Sequence, residues 1–600
     1  MKSNNGEAIF TAECSHSFHF HCITSNVKHG NRVCPICRAR WKQIPINKST
    51  SRSKSNINFR SLSNHDPYLI LQGLSPQQTQ SNRDVPSLFQ SPEPPIFDDD
   101  EHVNPKTEQE SVSNGTIDMK TYPEVSSVAR SFHFNDFAIL IRLKAPVTKQ
   151  NRNAPVLLDL VTVLDISGSM TGTKIALLKQ AMGFVIQNLG PLDRLSVITF
   201  SSSARRLFPL RRMTETGKQE SLQMINSLVA NGGTNIAEAL KKGAKVMLDR
   251  KFKNPVSGMI LLSDGQDTYT NFSPRRNGLN NDQNIILPDC NVQIHTFGFG
   301  MDHDANAMHF ISEKSGGMFS FIGDENVIQD AFAQCIGGLL SVVVQELRVE
   351  VECVHHVLKL KSIKAGSYRV SIDANGRSGL IEVGDLYAEE EREFLVTMDI
   401  PVDESCDEMA LVKFKVNYTD PIMKTTVTAG GNEDVMISRP ETTAGEQMVS
   451  IEVDRQRNRL RAASAIAEAQ VAAERGDLTA AKAVLDDCCE KLAGSVSACA
   501  GDRLCLGLVA ELNEMKERMA SRELYESSGR AYVLSGLSSH SWQRATARGD
   551  STEETSQIQS YQTPSMVDMV NLSQTMCFSM SPSSSMVKPV VGNSSGKKSR

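Results

Sequence analysis

Apolar residues change their period three times along this chain, and each change marks a different kind of unit. Val156 to Leu164 (VLLDLVTVL) is a nearly continuous apolar run, as a parallel strand buried on both faces requires. Lys174 to Leu189 and Ile236 to Leu248 repeat apolar residues at helical spacing, while Leu195 to Phe200, Gly258 to Ser263 and Val292 to Phe299 are short apolar runs. Strands separated by helices predict an α/β domain over residues 156–345, with a doubly wound parallel sheet covered on both faces. Residues 346–440 alternate apolar and polar positions (LRVEVEC, YRVSI, REFLVTMDI, ALVKFKVNY), which predicts an antiparallel β-sandwich. Before the α/β domain, the segment 126–155 carries one strand, Phe137 to Leu143 (FAILIRL), that leads into that domain or joins the sandwich.

Residues 441–536 are rich in Ala, Glu, Arg and Leu at helical spacing, and Gly476 followed by Asp477 reads as a helix stop and a new N-cap. Two or three antiparallel helices follow from this. Residues 46–125 are rich in Ser, Asn, Gln, Pro and Asp without apolar periodicity, and predict a disordered linker. Residues 537–600, rich in Ser, Gln and Met and ending on Lys597, Lys598 and Arg600, predict a disordered tail. A chain of 600 residues exceeds a single core, so several domains are expected.

The formal net charge of -5 is spread over both signs, which excludes the basic footprint of a nucleic-acid partner. No run approaches 18 apolar residues and no leader pattern opens the chain, so neither a transmembrane segment nor secretion is expected. The expected location is cytoplasmic or nuclear. The sequons at Asn114 and Asn417 and the Arg-Gly-Asp triplets at Arg475 and Arg548 are then chance matches. Of thirteen cysteines, Cys14, Cys22, Cys34 and Cys37 cluster among histidines near the start, a pattern of metal binding and not of disulfides.

Two sets of residues carry chemistry. The first is Asp165-Ile166-Ser167-Gly168-Ser169, directly after the first buried strand, where a doubly wound sheet binds ligands at the carboxyl ends of its strands. One carboxylate and two hydroxyls are hard oxygen donors suited to Mg²⁺ or Mn²⁺. Thr234, in the turn Asn231-Gly232-Gly233-Thr234, and Asp264, after the strand GMILLS, add oxygens from the same edge. Ser167 and Ser169 lie in no Gly-x-Ser-x-Gly elbow and no histidine completes a triad order, so a nucleophilic serine is excluded. His295 and His303 read as structural, and Asp193 and Asp267 as solvated loop carboxylates.

This pattern resembles the metal-ion-dependent adhesion site of the von Willebrand factor A family, and the resemblance covers about residues 156–345. It implies that Asp165, Ser167, Ser169, Thr234 and Asp264 hold one cation. One coordination position stays open for an acidic side chain of a protein substrate or partner.

The second set lies in residues 1–45. CSHSFHFHC places Cys14, His16, His19 and Cys22 at the spacing Cys-x-His-x2-His-x2-Cys, and Cys34-Pro35-Ile36-Cys37 adds a knuckle, as tetrahedral Zn²⁺ requires. The segment resembles the RING-H2 finger of E3 ubiquitin ligases. The resemblance implies one complete zinc site from Cys14, His16, Cys34 and Cys37. The first cysteine pair, expected upstream of Cys14, is absent, so His19 and Cys22 lack partners and the finger is read as partial. Either the gene model starts at an internal methionine or the chain is a truncated paralogue. Pro35 stands where the family meets a ubiquitin-conjugating enzyme, and Arg38 follows the last ligand as the family's linchpin arginine does.

AECSHSFHFHC, CPICRARWK and LDISGSM, in the order of finger, linker, von Willebrand A domain, sandwich and helices, resemble the plant wavy-growth family of RING ligases. That implies an E3 ubiquitin ligase whose central domain binds the substrate. The alternative is a non-catalytic, metal-dependent scaffold or decoy with an inactive finger.

Overall fold

The computed structural model of the protein describes residues 9–11, 17–19, 93–103, 115–147, 156–267, 269, 292–405, 407–442, 448–549 and 561–580. The chain forms two compact units, residues 1–90 and 91–600. In the first, Ile9–Thr11 (β1) pairs antiparallel with Ser17–His19 (β2), Ile9 lying opposite His19.

The second unit starts with two antiparallel strands, Asp118–Pro123 (β3) and Phe134–Lys144 (β4), and then builds the α/β domain. Leu158–Asp165 (β5) is buried throughout and takes the centre of a seven-stranded sheet. Thr173–Asn188 (α1) leads to Arg194–Phe200 (β6), parallel to β5, and Ala204–Arg212 (β7) turns back as an antiparallel edge. Glu215–Asn226 (α2) and Ile236–Asp249 (α3) then carry the chain to β5's other side, where Val256–Ser263 (β8) pairs in parallel. Gln293–Phe299 (β9), Ala305–Ser315 (α4), Phe319–Ile322 (β10) and Ile328–Leu339 (α5) complete the domain. The winding direction reverses between β5 and β8. Their carboxyl ends therefore flank a switch point, the place where such sheets bind ligands.

Val342–Cys353 (β11) opens the sandwich, followed by Leu360–Lys364 (β12), Arg369–Ile372 (β13), Ser378–Tyr387 (β14), Glu391–Ile400 (β15), Glu408–Thr419 (β16) and Thr426–Ser438 (β17). One sheet runs β13-β14-β11-β16-β17 and the other β12-β15-β4-β3. FAILIRL thus belongs to the sandwich, with Ile141 opposite Phe394. Its apolar run is continuous because both faces are covered. Phe137, Ile139 and Ile141 join the sandwich core, while Ala138 and Leu140 pack with Val453 of the first helix beyond the sandwich.

That helix, Ile451–Glu474 (α6), is followed by Leu478–Ala493 (α7), Arg503–Arg518 (α8) and Arg530–Trp542 (α9). Gly476 has φ +87° and the Asp477 side chain accepts the Ala480 N–H, as the stop-and-cap pattern predicts.

Two stretches whose composition predicts disorder are folded. Within the expected linker, residues 93–103 lie on the α/β domain, with Phe97 in its core, and β3 is a sandwich strand. Within the expected tail, Arg548–Gly549 (β18) adds a parallel strand to β10, and Pro564–Met580 (α10) packs on α5. Ser573 Oγ there donates to Asp330 Oδ1 at 2.6 Å. The corrections share a cause: these segments dock through charges and single apolar residues, which hydrophobic periodicity does not register.

Candidate metal centre

Asp165 ends β5 with its side chain fully buried. Its Oδ1 accepts the Ser167 N–H at 2.8 Å and its Oδ2 accepts Ser263 Oγ at 2.6 Å. Burial pushes the Asp165 carboxyl up to about 6, against those hydrogen bonds, and the charge of Asp264 adds to the rise. A divalent cation among these oxygens would oppose both effects.

The chain after Asp165 tightens into a single 3₁₀ turn, Gly168–Met170, which brings Ser167 Oγ and Ser169 Oγ to 2.9 Å. Ser169 Oγ donates to Asp264 Oδ1 at 2.6 Å, and Lys174 Nζ donates to Asp264 Oδ2 at 2.6 Å. The loop carrying Thr234 is laced to this turn by backbone bonds, Gly168 N–H to Gly232 O at 2.9 Å and Asn231 N–H to Ile166 O at 2.7 Å. Asn235 N–H donates to Ser201 O and caps α3 with its own side chain. A Cβ on Gly265 would lie 3.2 Å from Thr234 Oγ1 and 3.7 Å from Ser169 Oγ, so a glycine lets the Asp264 loop come close to both hydroxyls.

All five positions singled out in this domain therefore meet at the switch point. Two carboxylates and three hydroxyls make an all-oxygen donor set, which suits a hard divalent cation. Among the described residues no group of three or more His, Cys, Asp or Glu side chains could hold a metal, so this centre leans on hydroxyls.

Sequence reasoning missed Ser263 and Lys174. Ser263 ends the apolar run GMILLS, and Lys174 falls one residue into α1; neither type at that place announces a partner.

His295 and His303 are buried, and burial pushes their imidazoles down to about 3 and about 4, so both are neutral structural groups. Asp193 is corrected. Instead of facing solvent it is buried, accepting the Leu158 N–H at 2.9 Å and the Gly190 N–H at 2.7 Å beneath the sheet. Asp267 stays on an exposed loop, where it accepts the Tyr269 N–H. Of the finger residues, His19 falls in the described backbone at the end of β2. Cys14, His16, Cys22, Cys34, Pro35, Cys37 and Arg38 lie outside the described residues.

A doubly wound sheet with an Asp-x-Ser-x-Ser turn at its switch point defines a von Willebrand factor A protein, and the family model of the von Willebrand factor type A domain matches residues 159–334. A RING-H2 zinc finger domain model matches residues 1–38, and one described as VWA / Hh protein intein-like matches residues 502–575. The last match spans α8, α9 and much of the segment that composition assigned to a tail.

The chain belongs to the WAV family of E3 ubiquitin-protein ligases. It is 30% identical to E3 ubiquitin-protein ligase WAV3 of Arabidopsis thaliana over 554 residues, covering 80% of this chain and 68% of that protein. To E3 ubiquitin-protein ligase WAVH1 of the same plant it is 30% identical over 568 residues, covering 88% of this chain and 75% of the relative. Among solved structures, a von Willebrand factor type A protein from Catenulispora acidiphila aligns with a TM-score of 0.49 at 16% identity, over 68% of this chain and 90% of its own. No helix among the described residues is long and apolar enough to cross a membrane.

Proposed function

We propose that this chain is a RING-type E3 ubiquitin ligase whose central domain captures its target through a divalent cation. The observation that carries the reading is the meeting of Asp165, Ser167, Ser169, Thr234 and Asp264 at one switch point, in a chain whose relatives are named ligases.

In the finger, Cys14, His16, Cys34 and Cys37 are the complete ligand set for one structural Zn²⁺, and His19 and Cys22 are half of a second set. Pro35 meets the ubiquitin-conjugating enzyme, and Arg38 donates charged hydrogen bonds that hold the thioester ready for attack. Such a ligase forms no covalent intermediate of its own, so its chemistry is positioning.

In the central domain, the five oxygen-bearing residues would hold Mg²⁺ or Mn²⁺, which supplies a point of positive charge for an acidic side chain of the partner. The chain's own groups prepare that point. Ser263 orients Asp165, while Ser169 and Lys174 fix the two oxygens of Asp264. Lys174 cancels one of the two carboxylate charges, so the centre would carry an excess of positive charge with a dication bound, which would favour an incoming carboxylate.

Titrating the purified full chain with Mn²⁺, read by electron paramagnetic resonance, tests the metal centre. Asp165→Ala should lose the binding and keep a cooperative melt, because the five residues gather at the carboxyl ends of the strands, beyond the apolar core of the domain. Equal binding by the variant removes the centre. In a reconstituted ubiquitination assay, activity that falls on Arg38→Ala supports the ligase. Cation-dependent binding with no ubiquitin transfer would leave a scaffold.

A further inference from the structure

Residues 93–103, EPPIFDDDEHV, which begin at Glu93, lie as a strap on the open edge of the α/β sheet. The edge strand β7 (ARRLFPLRR) and the helix α3 beside it present Arg206, Arg212, Lys242 and Lys245. Glu93 accepts the Arg206 N–H at 2.6 Å with one carboxylate oxygen and Lys242 Nζ at 2.6 Å with the other. Phe97 is only 4% exposed: the Arg206 guanidinium lies 4.0 Å from its ring centroid and the Lys245 ammonium 5.0 Å. The Phe97 N–H donates to Asp249 Oδ2 at 3.0 Å.

The acidic run then reads a row of cations. Asp99 takes the Arg206 guanidinium with both oxygens, at 2.6 and 2.7 Å, and Asp98 pairs with Lys251 at 3.0 Å. Asp100 meets Arg194 at 2.8 Å with both side chains buried. Arg194 is already gripped by Asp159 below, through Nε and Nη2, and its Nη1 points out to Asp100 and to the Glu101 carbonyl. Glu101 closes the edge, its N–H donating to Leu210 O at 2.9 Å and its carboxylate accepting the Arg212 N–H at 3.0 Å.

An aromatic slot, a buried guanidinium turned outward and a sheet edge with backbone groups to satisfy are the parts of a peptide-recognition groove. We propose that this face of the domain recognises a protein segment with an aromatic residue followed by an acidic run, and that residues 93–103 are its resident, displaceable occupant. A partner carrying the same pattern binds by exchanging with the strap. The strap's outer hold is ionic and near solvent, with Asp98 and Lys251 each about half exposed and Asp99 45% exposed, while Phe97 and Asp100 are its buried anchors, which an incoming segment replaces in kind. The outer pairs weaken with salt. The strap's advantage is its tether, which gives it a high local concentration. This site is separate in residues and in chemistry from the cation centre, and stands whether or not that centre binds metal.

The test uses the full chain and a fluorescent synthetic peptide of residues 91–104. In a strap-loosened variant, Phe97→Ala with Asp99→Asn and Asp100→Asn, the peptide should bind about tenfold or more tightly than to the unaltered chain, whose groove is filled. Adding Arg206→Glu should abolish that binding, as should Phe97→Ala in the peptide itself. A loosened variant that melts cooperatively and binds no peptide overturns the proposal. So does binding that Arg206→Glu leaves unchanged. Should the variant fail to fold, hydrogen exchange on the unaltered chain decides: saturating peptide should speed exchange in residues 93–103 while β7 stays protected, and an unchanged strap refutes the exchange.

Discussion

Lys174 is the residue through which the proposed metal centre would be tuned. Its ammonium rests on Asp264 at 2.6 Å and near the Phe299 ring, with 18% of the side chain exposed. Gly300, at φ +76°, leaves room for it, since a Cβ there would stand 3.2 Å from Nζ. Removing a positive charge beside a ligand carboxylate strengthens that carboxylate's pull on a cation. Lys174→Ala should therefore tighten Mn²⁺ binding about tenfold, and calorimetry showing weaker binding would count against the arrangement. Asp193 supplies a pH signature away from the metal. Burial raises its carboxyl to about 6 in the fold, from an ordinary value of 3.8, so between those values the folded state holds more proton than the unfolded. Stability contributed there is present at low pH and is lost as pH rises through about 6. Asp193→Asn should flatten that slope in unfolding curves recorded from pH 4 to 7.

At the scale of elements, what the sequence discloses depends on how each element is held. Strands β5, β6, β8 and β9 are apolar because neighbours cover both faces, and their runs announce them; the gathering of the five oxygen-bearing residues is legible because their spacing follows those strands. The strap, β18 and α10 are held by Arg194 with Asp100, by Arg544 with Glu390, and by Ser573 with Asp330, in residue types that also fill solvated loops. Only the fold brings such partners together. Arg544 is nearly buried, pairing with Glu390 at 2.8 Å and lying 4.2 Å from the Tyr387 ring centroid. Arg544→Ala leaves Glu390 with Arg392 as its remaining cation and an empty space beside Tyr387. The expected loss is about 3 kcal/mol, as for other buried pairs broken on one side. Chemical denaturation measures it, and a change within error would mean the tail docks by other contacts.

For the whole molecule, the order of chain matters more than the number of domains. Two strands of the sandwich precede the α/β domain and seven follow it, so the α/β domain is an insertion within the sandwich. A chain beginning at residue 148 would keep only β12 and β15 of the four-stranded sheet, and a two-stranded remnant cannot cover Phe394 and Val396. It should be recovered as aggregate or bind a hydrophobic dye strongly; a soluble, dye-silent product would show that the later strands suffice. The same insertion has a mechanical consequence. Tension entering at residue 115 and leaving at residue 438 reaches the sandwich strands first, β3 and β4 at one end and β17 at the other. The α/β sheet lies in series behind another structure when the chain is drawn out, so an unfolding machine must strip β4 from β15 before it can tug on the loops of the candidate centre.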